Sequence, residues 1–414
     1  MVSPARAGAN LEMQIMNFDK PQRIMYALGP GDVVGLYRDL LEGKTPSVQM
    51  QMDFSTQFLD WCDETGVEAH LISSHSRRDR LQVGRHKLEN LPRPSLYFRG
   101  GAKHHLGLLL YGLAIVSRAV RERASLVIAD SGTTHWIVLS LLGLAGIPVI
   151  AVMHNSLWPM GYPPQRRIDR LLLWLDGVFF RRTAGATACV SPECARQVRT
   201  VARTPRGPVL QFRPQVREGL LAHVSPPPPH AVPPFRVLFL GRIEEYKGIF
   251  MILSMAERLE MEFPGRFAWK IVGGGGALDA LRKQAAERKL TQVEITGRLP
   301  NEPTMEALGW AHVMVVPTTS GFCEGLAMTA GEAILVGRPV VVSTVVPAWE
   351  ILGGAAIVAQ AEDLDSFLDV FRRLLEDAAF YEQCQRETAS AQLQFYDRSQ
   401  GLGPVLGRAI ASLD

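Results

Sequence analysis

The chain has 414 residues, of which 47% are hydrophobic, 8% aromatic and 21% charged. That length points to two or three domains. The composition excludes a disordered chain, a collagen-like repeat and a small disulfide-held scaffold. Net charge is only +3, but residues 1–230 hold 27 Lys and Arg against 18 Asp and Glu, while residues 231–414 hold 17 against 23. Halves of opposite sign predict two domains with different partners.

Residues 1–20 are polar and small and lack the apolar core of a signal peptide, so they read as a disordered leader. The five cysteines are Cys62, Cys189, Cys194, Cys323 and Cys384. An odd number without C-x-x-C spacing argues against a disulfide frame or a zinc site and for a reducing, cytoplasmic setting. Strands are predicted over 23–28, 69–73, 125–129, 148–153 and 186–190, with helices over 55–65 and 106–123 between them. The uncharged run 136–153 is near the length of a membrane span. Gly143, Gly146 and Pro148 divide it instead into a short helix over 133–142, a turn and a buried strand.

Nine prolines fall between Pro205 and Pro234, four of them consecutive from Pro226 to Pro229. Such a stretch is extended and stiff. It closes a first domain over 21–230 and opens a second over 231–395, with a C-terminal helix over 396–414 that packs back on the first. In the second domain, strands are predicted over 236–240, 268–272, 293–296, 313–316 and 339–343. Helices are predicted over 249–262, 278–289, 302–308, 327–336 and 363–377. This alternation is the pattern of an α/β protein with two doubly wound parallel sheets, whose ligands sit at the carboxyl ends of the strands, in the cleft between the domains.

Chemistry-bearing residues gather at those strand ends. Arg242 follows the first strand of the second domain at Gly241, and Lys247 precedes the next helix. A planar guanidinium and a point-charge ammonium suit a diphosphate, although solvated surface charges have the same spacing. Farther on, Glu324-Gly-Leu-Ala-Met-Thr-Ala-Gly-Glu332 opens a helix near Leu326 after the strand at 313–316. The free N–H groups of a helix start form an anion site. Eight helical residues rise about 12 Å, the reach from sugar to nucleoside across a diphosphate. Glu324 also fits a helix-start acid, whereas Gly331, Ala333 and Ile334 give Glu332 a buried setting in which a carboxylate needs a partner. His154, followed by Asn155, ends the strand 148–153. Its imidazole can donate to a sugar hydroxyl or simply cap the strand end. The glycines 273–276 do not fit a dinucleotide fingerprint and suit close backbone approach. Asp363-Leu-Asp365 has a metal-binding form but reads better as a helix N-cap, and no metal site is expected.

Together these residues resemble the retaining, nucleotide-sugar-dependent glycosyltransferases of the GT-B fold, specifically glycosyltransferase family 4. Most of the second domain carries the resemblance: Gly241-Arg242, Lys247-Gly248, the glycine turn, Ile295-Thr-Gly297, Pro317, Glu324 and Glu332, Gly337-Arg-Pro-Val-Val341 and Glu350. His154, Asn155 and Val190-Ser191 carry it in the first. The loop Gly325-Leu326-Ala327-Met328 departs from the family's usual Phe-containing form. The resemblance implies two Rossmann-like β/α/β domains facing across a deep cleft. Arg242 and Lys247 would hold the leaving diphosphate without a metal, and Glu332 would hold the ribose. Glu324, with the N–H groups of Leu326, Ala327 and Met328, would hold the donor sugar and phosphate, and His154 would approach that sugar from the first domain. A nucleotide-diphosphate sugar is then the donor substrate, with no prosthetic group and no nucleic-acid partner, in polysaccharide or glycolipid synthesis. A sugar-nucleotide epimerase and a catalytically silent relative are the alternatives.

Acceptor choice falls to the basic first domain. Arg77, Arg78, Arg80, Arg85, Lys87, Arg99 and Lys103 read as loop residues. Arg166, Arg167, Arg170, Arg181 and Arg182 flank the apolar stretches 171–174 and 179–180. A saccharide or lipid-linked acceptor, and peripheral contact of this basic helix with an anionic membrane at its cytoplasmic face, are expected from such a pattern. An ordinary core helix with solvated ends is the preferred reading of the helix itself. Glu324→Gln or Lys247→Ala is expected to abolish transfer with the melting temperature nearly unchanged.

Overall fold

Two sheets organise the computed structural model, which describes residues 23–44, 54–216, 219 and 221–413. The expected leader lies outside them. The first sheet contains β1 (Arg23–Pro30), β2 (Glu68–Ser74), β3 (Asp79–Val83), β4 (His86–Leu91), β5 (Leu126–Asp130), β6 (Val149–Met153), β7 (Ala184–Cys189) and β8 (Val209–Gln211), in the order β3-β4-β2-β1-β5-β6-β7-β8. Every neighbouring pair is parallel except β3 and β4. Connecting helices are α1 (Val33–Leu41), α2 (Phe54–Thr65), α3 (Gly101–Arg121), α4 (Ser140–Leu144), α5 (Arg167–Arg182) and α6 (Pro192–Ala202).

β5 and β6 are buried at every residue, as strands covered on both faces must be, and this accounts for the unbroken apolar sequence of β6 and for that of β5 up to its last residue, Asp130. The uncharged run before β6 divides into a 3-10 turn (Trp136–Leu139) and α4 rather than one helix over 133–142. The buried Asp176 carboxylate of α5 accepts the Ile137 N–H at 3.2 Å and fixes that turn. No helix among the described residues is long and apolar enough to cross a membrane. Arg80 and Lys87, expected on loops, lie instead on β3 and β4, a hairpin turning at Gly84-Arg85. Arg80 is also engaged: with Arg118 it donates to the buried Glu89 carboxylate, at 3.2 and 3.0 Å.

The second sheet holds β9 (Phe235–Leu240), β10 (Phe267–Val272), β11 (Val293–Gly297), β12 (Val313–Val316), β13 (Val340–Ser343) and β14 (Ala356–Ala359), all parallel, in the order β11-β10-β9-β12-β13-β14. Its helices are α7 (Ile249–Glu262), α8 (Leu278–Glu287), α9 (Asn301–Trp310), α10 (Met328–Leu335), α11 (Trp349–Leu352), α12 (Leu364–Glu376) and α13 (Ala378–Tyr396). Asp363 caps α12 by accepting the Ser366 N–H at 3.1 Å. The proline run is strapped to this second unit. The buried Arg338 guanidinium donates to the carbonyls of Ser225 (2.6 Å), Gly309 (2.8 Å) and Ala311 (3.2 Å), and His230 Nε2 donates to Leu374 O at 2.8 Å. The last helix, α14 (Leu402–Ala411), returns to the first unit. It packs on α2 and β7, and Gly403 sits so close to Trp61 that an added Cβ would lie 2.8 Å from the Trp61 Cβ. The fold is thus two Rossmann-like domains facing across a cleft.

Candidate functional site

The carboxyl ends of β6 and β12 meet across the cleft. Ser156 N donates to Glu324 O at 3.3 Å, and a Cβ on Gly325 would fall 1.7 Å from the His154 carbonyl oxygen. Only glycine permits that approach. Nearby, Arg196 of α6 joins Glu193 to Glu350 of the other domain.

On the second-domain wall, β9 ends at Leu240 and delivers Arg242 to the cleft. The chain then turns through a 3-10 segment, Glu245–Lys247, into Gly248, whose φ of +74° and close approach to the Pro317 carbonyl both require glycine. This places the Lys247 ammonium on the Glu324 carboxylate, which also accepts the Thr318 hydroxyl at 2.9 Å. Glu324 is only 5% exposed. The two residues expected to serve separate parts of a donor are therefore ion-paired partners. Tyr246 and Phe322 stack at 4.7 Å, and both cations lie over this pair: Lys247 Nζ is 4.4 Å from the Phe322 ring centre, and the Arg242 guanidinium carbon 5.4 Å. Arg242 has no carboxylate partner among the described residues.

Helix α10 begins at Met328, two residues beyond Leu326 and close to the expected start. Ala327 is its left-handed cap residue, at φ +63°. The N–H groups of Leu326, Ala327 and Met328 thus line the turn into the helix, and they have no backbone acceptor among the described residues. One turn further, Glu332 is fully buried and neither carboxylate oxygen has a hydrogen-bond partner. Burial pushes its carboxyl up to about 7. Glu332 lines a cavity of about 590 Å³ together with Arg242, the glycines 273–275, Arg298, Leu299, Asn301 and Thr304. That size suits a nucleoside-sized ligand. The glycines bring backbone against backbone: a Cβ on Gly273 would meet Gly241 O at 1.7 Å.

On the first-domain wall, His154 Nε2 lies 3.1 Å from Asp130 Oδ1, which also accepts the Tyr26 hydroxyl at 2.7 Å. The ring packs on Phe54, centres 4.4 Å apart. A carboxylate at Nε2 requires the hydrogen there. That leaves Nδ1, which is buried and has no hydrogen-bond partner among the described residues, as the ring's free polar atom. Just after β1, Asp32 is engaged locally, accepting from Gly35 N at 2.7 Å and Asn90 Nδ2 at 2.6 Å. Among the described residues, no three His, Cys, Asp or Glu side chains are grouped to hold a metal ion.

Residues 225–391 match the family described as glycosyl transferases group 1, and residues 56–210 match glycosyltransferase family 4. The chain belongs to glycosyltransferase family 4. Its likeness to the O-antigen chain mannosyltransferase B of Escherichia coli is 29% identity over 147 residues, 35% of this chain and 38% of that protein. The match therefore spans well under half of that relative's length. Among solved structures, an α,α-trehalose-phosphate synthase from Burkholderia vietnamiensis aligns with a TM-score of 0.71 at 13% identity, over 95% of this chain and 97% of that one. HepE of Anabaena, in complex with UDP and glucose, aligns at 0.64 and 13%, over 94% of this chain and 100% of that one. These likenesses establish the GT-B fold.

Within this family 4 chain, the structure brings Arg242, Lys247, Glu324 and Glu332 to one wall and His154 to the other. Sequence reasoning missed Tyr246, Phe322, Tyr26 and Asp130. Tyr246 beside Lys247 and Phe322 beside Glu324 were visible as neighbours of motif residues, but nothing in the chain joins the two. Asp130, an acid closing an apolar strand, was a readable signal.

Proposed function

We propose that the protein is a retaining glycosyltransferase that moves a hexose from a nucleoside-diphosphate sugar to an acceptor held by the first domain. The observation that carries this reading is Glu332, a buried carboxylate with two unpartnered oxygens lining a nucleoside-sized cavity beside Arg242. Two vicinal ribose hydroxyls supply the two donors that it lacks. The diphosphate then lies along Arg242, Lys247 and the N–H groups of Leu326, Ala327 and Met328. These fixed positive groups stabilise the charge that develops as the glycosidic bond breaks, independently of a metal ion. Binding of the diphosphate draws Lys247 from Glu324 and frees that carboxylate for the donor sugar's hydroxyls. His154 Nδ1 accepts from a sugar hydroxyl, with Asp130 holding the ring. The acceptor hydroxyl attacks from the leaving-group face, and a departing phosphate oxygen takes its proton, so the anomeric configuration is kept.

The acceptor is a saccharide or a lipid-linked sugar, as in polysaccharide or glycolipid assembly, and a reducing cytoplasmic setting suits the free thiols. Support for the donor class comes from the UDP and glucose in the Anabaena neighbour and from the name of the E. coli relative.

Thermal-shift titration with UDP-, GDP-, ADP- and CMP-sugars tests the reading. One nucleotide family is expected to raise the melting temperature of the wild type and not of Glu332→Ala. No shift with any of the four would sink the proposal. Binding with interconversion of the sugar and no transfer would favour an epimerase, and binding without turnover a silent relative.

A further inference from the structure

Helices α3 and α5 both connect strands in the same direction across the first sheet, so right-handed crossovers lay them on one face. Both pack against the 3-10 turn Trp136–Leu139. Each begins beyond the carboxyl end of a strand, which is the cleft side. The C-terminal half of α5 is core, with Phe179 and Phe180 fully buried. Its N-terminal half is not: Ile168, Leu171 and Trp174 are 54, 50 and 59% exposed. On α3, Leu106, Leu110 and Leu113 are 45, 41 and 39% exposed. Spacings of three and four residues put each set on one helix face, and no described element covers either. A core-helix reading therefore fits only the second half of α5.

The charges around this face have one sign. Arg99 precedes α3 and Lys103, expected on a loop, lies in its first turn, while Arg166 precedes α5 and Arg167 and Arg170 lie in its first turn, all exposed. Asp169 is the one acid in residues 99–113 and 166–174. An apolar stripe with a cationic edge is the pattern of a surface that rests on an anionic bilayer, with side chains in the acyl boundary and cations among the headgroups. We propose that the N-terminal halves of α3 and α5 form a docking surface for an anionic lipid membrane. The surface adjoins the cleft mouth, so a sugar on a lipid anchor would reach the site from the bilayer. That last consequence rests on the glycosyltransferase reading; the docking itself does not.

The test is sedimentation of the full chain with vesicles of phosphatidylcholine containing phosphatidylglycerol, against vesicles of phosphatidylcholine alone, at low salt. The wild type is expected to sediment with the anionic vesicles only. Each cation near such a surface strengthens partition about fivefold, so a triple Arg166→Gln, Arg167→Gln, Arg170→Gln variant should bind about a hundredfold more weakly. Leu171→Glu with Trp174→Glu should abolish binding, while both variants keep the wild-type melting temperature and nucleotide-sugar thermal shift. Wild-type protein that stays in the supernatant overturns the proposal, and so do variants that bind like the wild type. Sedimentation velocity showing a dimer that the Leu171 and Trp174 changes dissociate overturns it in favour of a second copy. Vesicle binding that appears only after removal of residues 1–22 overturns it in favour of that segment. A failed vesicle test with a retained nucleotide-sugar shift leaves the donor reading standing.

Discussion

Glu332 carries the largest electrostatic cost at the site. Burial lifts its carboxyl to about 7, above its ordinary value near 4.5. The sign follows from linkage. A raised carboxyl stabilises the folded chain fully below its unfolded value, and that contribution is lost as pH rises through the folded value. Between pH 5 and pH 8 the loss is about 2–3 kcal/mol, so Glu332→Gln should raise the stability measured by urea unfolding at pH 8 by about that much more than at pH 5. Donor binding should recover the cost, because ribose hydroxyls stabilise the ionised form. Nucleotide affinity of the wild type should then tighten about tenfold from pH 6 to pH 8, with a flat profile in Glu332→Gln; calorimetric titration at the two pH values reads both. Lys247 and Glu324 behave differently. Their burial as a pair revises the expectation that a change at either leaves the melting temperature alone. Lys247→Ala strands a carboxylate that is 5% exposed, at a cost of about 3 kcal/mol. Glu324→Gln keeps its shape and should cost less. Paired melting curves check that ordering.

Elements place these residues where they meet, and most of those elements were legible in the chain. Strands such as β6 and β12 announce themselves because burial on both faces leaves no polar position. The hairpin β3–β4 was hidden for the opposite reason. At the edge of the sheet it mixes Asp79, Arg80, Lys87 and Glu89 among its apolar residues, so it has no apolar run. β8 is three residues long, too short for a pattern. At the site, the burial of Glu332 was readable from Gly331, Ala333 and Ile334. The Lys247–Glu324 pair and the Tyr246–Phe322 stack were not, since each joins distant segments that only the fold brings together. Gly325 illustrates an element-scale constraint. Its lack of a side chain lets the β12 loop touch the end of β6, so Gly325→Ala should hold the walls apart. We expect transfer to fall by at least about tenfold, since misplacement of about 1 Å can cost a hundredfold. Far-ultraviolet circular dichroism should not change, and small-angle scattering should report a wider particle.

At the scale of the whole molecule, the polypeptide crosses between domains twice, and each crossing is fastened on the far side. The proline run is held by Arg338 and His230 to the second domain, and α14 is buried on the first. Removing residues 398–413 would uncover Trp61 and the flank of β7. That truncation should leave the first domain open to limited proteolysis while the second resists it. The split of charge now has a structural setting. The acidic second domain holds Arg242 and Lys247 on an aromatic pair, where placement matters more than net charge. The basic first domain carries its excess partly on the cleft-side edge of α3 and α5, where an acceptor would approach in the proposed reaction.

The central claim is that this cleft breaks a sugar–diphosphate bond using Arg242, Lys247, Glu324 and Glu332. Release of nucleoside diphosphate from the donor giving the largest thermal shift, followed with a chelator present, tests it most directly. The wild type should release diphosphate steadily, and Lys247→Ala and Glu324→Gln at least about a hundredfold more slowly, in line with the loss of charge stabilisation at a reacting centre. No release by the wild type from any donor, or release undiminished in both variants, would contradict it.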